Sequence, residues 1–176
     1  MADTVRYNAN LELGAGPLSV ANADDASSKT TGAVKVAGGI GVEKKVHVGQ
    51  TITSDSGDLK LVAGTLHVEN GNTATQGDGS GKATGVTINH ETGQITMDDA
   101  SLASGAVVTF AVANSKVAAT DVAIVNHVSG GTVGGYLINA QGFASETFNI
   151  TVTNLTSGAL TDALVLRFVI VKGSHT

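Results

Sequence analysis

The sequence predicts an all-β chain: an elongated, intertwined β N-terminal region followed by a C-terminal β-sandwich of jelly-roll-like form. Three observations predict it. Glycine supplies 23 of 176 residues against one proline, and the 41% apolar content is carried by Val, Ile, Leu and Ala, with 3% aromatics and no Trp. β-Branched residues punctuated by Gly suit short strands and tight turns. Next, six of ten positions match between Leu11-Glu-Leu-Gly-Ala-Gly-Pro-Leu-Ser-Val20 and Leu59-Lys-Leu-Val-Ala-Gly-Thr-Leu-His-Val68. The front half is therefore an internal duplication of a Gly-rich β unit, which needs stacked neighbours or partner chains to bury a core. Finally, beyond about residue 100 the apolar runs lengthen and recur between Gly turns, as in a domain of two packed sheets.

Residues 1–20 are expected to form an anchor arm; the first ten are polar and carry no period. Residues 21–97 read as a Gly-rich repeat β stalk. In it Ala83-Thr-Gly-Val-Thr-Ile88 echoes Thr31-Gly-Ala-Val34, and Gly93-Gln-Ile-Thr96 echoes Gly49-Gln-Thr-Ile-Thr53. The stretch from Asn70 to Gly81 reads as a polar loop. Residues 98–176 read as the β-sandwich head domain, with strands at 107–112, 122–128, 136–140, 148–152 and 164–171. Phe148, Ile150 and Val152 alternate with Asn149, Thr151 and Thr153, so this strand has one dry and one wet face. Leu164 to Val171 is apolar on both faces apart from Arg167, which predicts a central strand. Phe110, Tyr136, Phe148 and Phe168, with Phe143 nearby, are expected to fill one core. No segment carries a helical period.

Composition narrows the function classes. The formal net charge is −5, and the 10 basic residues are scattered, so no basic footprint for nucleic acid is present. Cysteine is absent, which removes disulfides, thiolate metal sites and a Cys nucleophile. No run of about 18 apolar residues marks a membrane span, and Met1-Ala-Asp-Thr-Val-Arg-Tyr-Asn8 has no apolar core of a secretory signal. Asn149-Ile-Thr151 and Asn154-Leu-Thr156 match the glycosylation pattern but read better as Thr-rich strand.

The motifs that carry chemistry are weak. His47 and His67 occupy equivalent repeat positions; three copies of one His around an axis could ring a metal or an anion, but a solvated strand position accounts for both. The pairs Asp24-Asp25 and Asp98-Asp99 lack the cleft that glycoside hydrolysis needs and read as turn residues. Residues 72–81 contain Asp78 but not the spaced acidic ligands of a calcium loop. Gly38-Gly-Ile-Gly41 is followed by no GKS/T and reads as a tight turn. No catalytic, cofactor or metal residues are assigned, and no enzyme activity is expected.

Two stretches carry a family resemblance. Thr30-Thr-Gly-Ala-Val-Lys-Val-Ala-Gly-Gly-Ile-Gly-Val-Glu-Lys-Lys-Val-His-Val-Gly49 resembles the "TTGAL-V-GG-G" segment recurrent in fibre proteins of tailed phages and large viruses. Residues 84–172 are similar to a module common in phage structural proteins, through Thr84-Gly-Val-Thr-Ile-Asn89, Gly93-Gln-Ile-Thr-Met97, Asn114-Ser-Lys-Val-Ala-Ala-Thr-Asp121, Ser129-Gly-Gly131 and Ala163-Leu-Val-Leu-Arg-Phe-Val-Ile-Val-Lys172. The resemblance implies a virion surface component, a homotrimer with its axis along the N-terminal strands, and no catalytic residues. With 176 residues and no coiled coil or large tip domain, a head-decorating fibre or knob on a phage capsid is expected; a short tail fibre or a glycan receptor-binding module is the alternative. Expected partners are further copies of the chain, phage capsid or tail proteins through the arm and, in the alternative, a host surface glycan, with no nucleic acid and no membrane insertion. Val34, Val36, Ile40, Val42, Val46 and Val48 are expected to face the trimer axis or a neighbouring sheet. At about 25 cal/mol per Å2, a thin arm alone barely offsets its conformational entropy.

Overall fold

The computed structural model describes residues 34, 36, 40–49, 52–54, 59–62, 64–68 and 71–173. The anchor arm, residues 1–20, lies outside them. Contacts divide the chain into two units, Met1–Val62 and Ala63–Thr176.

In the second unit the period-two runs become strands: β1 Gly71–Thr75, β2 Val86–Thr87, β3 Thr92–Thr96, β4 Val107–Ala113, β5 Val122–Ser129, β6 Tyr136–Ala144, β7 Thr147–Asn154 and β8 Val165–Val171. All five strands expected after residue 100 form. Along β7 the residues Phe148, Ile150, Val152 and Asn154 are buried, and their intervening neighbours are half-buried. The described residues contain no helix.

The strands form two mixed four-stranded sheets, ordered β1-β3-β8-β5 and β2-β4-β7-β6. β8 is central in the first, as expected, with Leu166, Phe168 and Ile170 buried on one face and Arg167 and Val171 exposed on the other. The chain crosses to the opposite sheet at each step from β1 to β6, so β3 returns beside β1 and β4 beside β2. These two pairs are parallel and every other ladder is antiparallel. The parallel pairs depart from the antiparallel ladders of a jelly roll. β6 and β7 form a hairpin that closes through Ser145 and Glu146, the latter in the left-handed region at φ 61°. Gly142 (φ 64°) allows the bulge where the register slips between Gln141 and Ala144.

One core spans both sheets. It joins Phe110, Val112, Phe148, Ile150 and Val152 to Ile95, Leu164, Leu166, Phe168 and Ile170. Phe168 meets Phe148 edge-on at 5.3 Å, and Phe143 stacks on the other side of Phe148 at 5.3 Å. Tyr136 and Phe143 pack against this cluster half-buried.

The core also contains Ile88, Ile95 and Met97, which precede the boundary expected at 97/98. Residues 71–97 are built into the C-terminal unit: Ile95 pairs with Leu166 and Gly93 with Phe168 across the β3/β8 ladder. Part of the expected loop at 70–81 is strand β1. Its side chains are small and polar, and only Ala74 reaches the core.

In the first unit no described residue belongs to a strand. Short β-type runs without a paired neighbour are at best marginal in water.

Candidate functional site

Large apolar side chains recur two apart along the described residues of 34–68: Val34 and Val36, Ile40 and Val42, Val46 and Val48, Leu59 and Leu61, Leu66 and Val68, with Ile52 and Val62 besides. All twelve are exposed, between 43% and 84%. The six residues expected to pack in a trimer, Val34, Val36, Ile40, Val42, Val46 and Val48, are among them. Contiguous apolar patches larger than a few hundred Å2 are rare on monomeric soluble proteins. His47, between Val46 and Val48, and His67, between Leu66 and Val68, are exposed.

The C-terminal unit holds a different constellation, which sequence reasoning missed. Lys82, 4% exposed, donates through Nζ to the backbone carbonyls of Asp98 and, at 2.6 Å, Asp162. Gln76 donates to the carbonyls of Lys82 (3.0 Å) and Thr84 (2.6 Å) and accepts from the Asp98 amide at 2.9 Å. Burial pulls the Lys82 ammonium below its ordinary pKa, and the nearby Asp98, Asp162 and Asp99 charges oppose that shift. Asp162 accepts from the Tyr136 hydroxyl (2.9 Å) and the Thr132 amide (3.0 Å). That hydroxyl bond is the main reason its carboxyl lies below the usual range.

The carboxylates of Asp78 and of the Asp98-Asp99 pair, weighed apart in the sequence, come within 4.8 Å of one another. The Asp98 oxygens already accept from the Ala100 amide (2.7 Å) and the Ser80 amide (3.1 Å), and the first of these chiefly lowers its pKa. With buried Lys82 alongside, Asp98 ties the 77–81 turn to the end of β3.

Asn154 heads one of the two glycosylation-like triplets. It is fully buried, and its Nδ2 donates to the carbonyls of Leu102, Ala103 and Gly158 at 2.8–3.1 Å while Oδ1 accepts from Thr156. The triplet is a turn-fixing device. The Asx-type signal was present in Asn154-Leu-Thr156, since an Asn side chain bonds its own backbone two residues on.

A groove of about 400 Å3 lies across β1, β3 and β8, bordered by Asn72, Thr73, Thr92, Gln94 and Arg167. Arg167 is held by a bond from Nε to Gln94 Oε1 at 3.0 Å. Its cross-strand neighbours are Gln94 and Asn126, so no carboxylate stands opposite it.

No family model, no curated protein and no solved structure matches the chain.

Proposed function

We propose that this chain is a virion structural protein, a trimeric fibre or knob that decorates a phage head and projects from the capsid. The carrying observation is the exposure of every described large aliphatic side chain between residues 34 and 68, beside a C-terminal unit that buries its own core. A chain of this kind gains stability by sharing apolar rows with sister copies, because the same side chains then leave water without a larger fold. The two sheets of the C-terminal unit are read as a sandwich that forms the outer knob. The role asks for shape and durability rather than turnover.

Light scattering on the purified chain tests the reading. A mass three times that of one chain is expected, falling to that of one chain in Val46→Asp/Val48→Asp, because a charge in a shared apolar row is left desolvated. A monomeric parent chain would sink the proposal. Particles lacking the protein, imaged beside complete ones, then separate a head fibre from a short tail fibre.

A second reading, a glycan receptor-binding module, is favoured by the groove beside Arg167, where a guanidinium without a facing carboxylate adjoins Thr, Asn and Gln side chains. Saturable binding on a glycan array, lost in Arg167→Gln, supports it.

A further inference from the structure

The two sheets each present a free parallel edge. β1 ends one sheet and β2 ends the other, and among the described residues no strand pairs with the outer side of either. Neither edge is blunted in the usual ways: β1 is Gly-Asn-Thr-Ala-Thr and β2 is Val-Thr, without charge or proline. At the opposite ends of the sheets stand β5 and β6.

The chain also carries a second version of the strands that grow inward from those edges. β3 contains Gly93-Gln-Ile-Thr96, and its counterpart upstream is Gly49-Gln-Thr-Ile-Thr53. In β3 the Ile95 side chain is fully buried and sits beside Ala74 of β1, and Thr96 sits beside Thr75. In the upstream version Ile52, Val46 and Val48 are exposed. A strand of β3 type, running parallel to β1 on its other side, would place Ile52 in the row of Ala74 and Ile95 and Thr53 in the row of Thr75 and Thr96.

We propose that the free edge of β1 is a docking strand for residues 46–53 of a second copy of this chain. This inference rests on the oligomer reading and deepens it: it names which strand meets which, in parallel register. The occupant is a second copy because, among the described residues of one copy, no strand pairs with the outer edge of β1 and Val46, Val48 and Ile52 are exposed. Main-chain hydrogen bonds supply the affinity, and the alternating apolar side chains supply the register. A closed ring results when each copy gives its strand to the next.

Cysteine pairing in the full chain tests this, because the protein has no Cys of its own. In Thr53→Cys/Thr75→Cys the two thiols face the same side of the proposed ladder within disulfide reach. Mild oxidation is expected to convert the monomer band on a non-reducing gel into linked trimer that reductant returns to monomer. The control pair Thr53→Cys/Asn126→Cys, which offers the β5 end of the same sheet, is expected to stay unlinked. Linkage within one copy, linkage in the control pair alone, or no linkage in a chain that light scattering shows to be trimeric each overturns the β1 assignment while leaving the oligomer reading intact. A monomeric chain overturns both.

Discussion

Lys82 donates through Nζ to the carbonyl of Asp162, 2.6 Å away and 80 positions along the chain. With its bond to the Asp98 carbonyl, this side chain ties the turn after β1 to the end of β3 and to the approach to β8. In Lys82→Met the aliphatic stem is kept and the donors are lost, so the inward Asp98 carbonyl is stranded while the Asp162 carbonyl keeps the Leu164 amide at 3.1 Å. A buried acceptor left unmade costs about 1–3 kcal/mol. The urea midpoint is expected to fall by the equivalent of about 1–3 kcal/mol with the slope m preserved, since compactness is unchanged.

The Tyr136 hydroxyl is the next link, donating to Asp162. Burial, followed by this bond, pushes its pKa up from 10.0 to about 12. The folded chain therefore holds the phenolic proton more tightly than the unfolded chain. The stability from this group is fully present below pH 10 and is lost as pH rises from 10 towards 12. Asp162 behaves in the opposite sense: its carboxyl is held down, so its contribution is present above the ordinary carboxylate range and is lost as pH falls through the folded value. In a Tyr7→Phe background Tyr136 is the one remaining tyrosine. Ultraviolet titration is then expected to show a phenolate midpoint near 12 that returns to about 10 on unfolding. A native midpoint at the ordinary value would show the bond to be absent in solution.

Gly93 faces the core where a Cβ would lie 2.5 Å from Cε1 and 2.6 Å from Cζ of Phe168. That ring is pinned by Phe148 and cannot swing aside freely. Gly93→Ala is expected to destabilise by about 1–3 kcal/mol through overpacking. Gly93→Ala/Phe168→Leu is expected to lose less than the sum of the two single variants, because the smaller side chain frees the methyl's space. Additive losses in a chemical unfolding cycle would place the strain elsewhere.

How much of this was legible depended on where large apolar side chains alternate. β4 to β8 show their period directly, as Phe148, Ile150 and Val152 do, and Phe110, Phe148 and Phe168 meet in one core as their placement suggested. β1 was hidden because Gly71-Asn-Thr-Ala-Thr75 has turn composition and depends on the neighbouring β3 for its strand geometry. β2 has two residues and carries no period. The Lys82–Asp98–Asp162 cluster was illegible for another reason: its members come from three separate connections, and no spacing rule joins them. Asn154 was readable, but the glycosylation pattern competed with the Asx-turn that the structure uses.

Core residues on both sides of 97/98 lead to a prediction about where the chain can be cut. A division at 97/98 removes β1, β2 and β3, strips Ile88, Ile95 and Met97 from the core, and leaves β8 without its β3 neighbour. Leu166 and Phe168 then face water on that side, and β8 becomes an exposed apolar edge open to aggregation. Residues 98–176 alone are expected to lack a cooperative thermal transition and to bind a hydrophobic dye. A chain of residues 71–176 keeps all eight strands and the Lys82 cluster. It is expected to unfold in one cooperative step, with well-dispersed amide resonances, because its fourteen buried hydrophobics come from within that span. Cooperative folding of the shorter piece would show that β1 to β3 are an ornament on the head domain; failure of the longer one would show that the C-terminal unit draws on residues before 71.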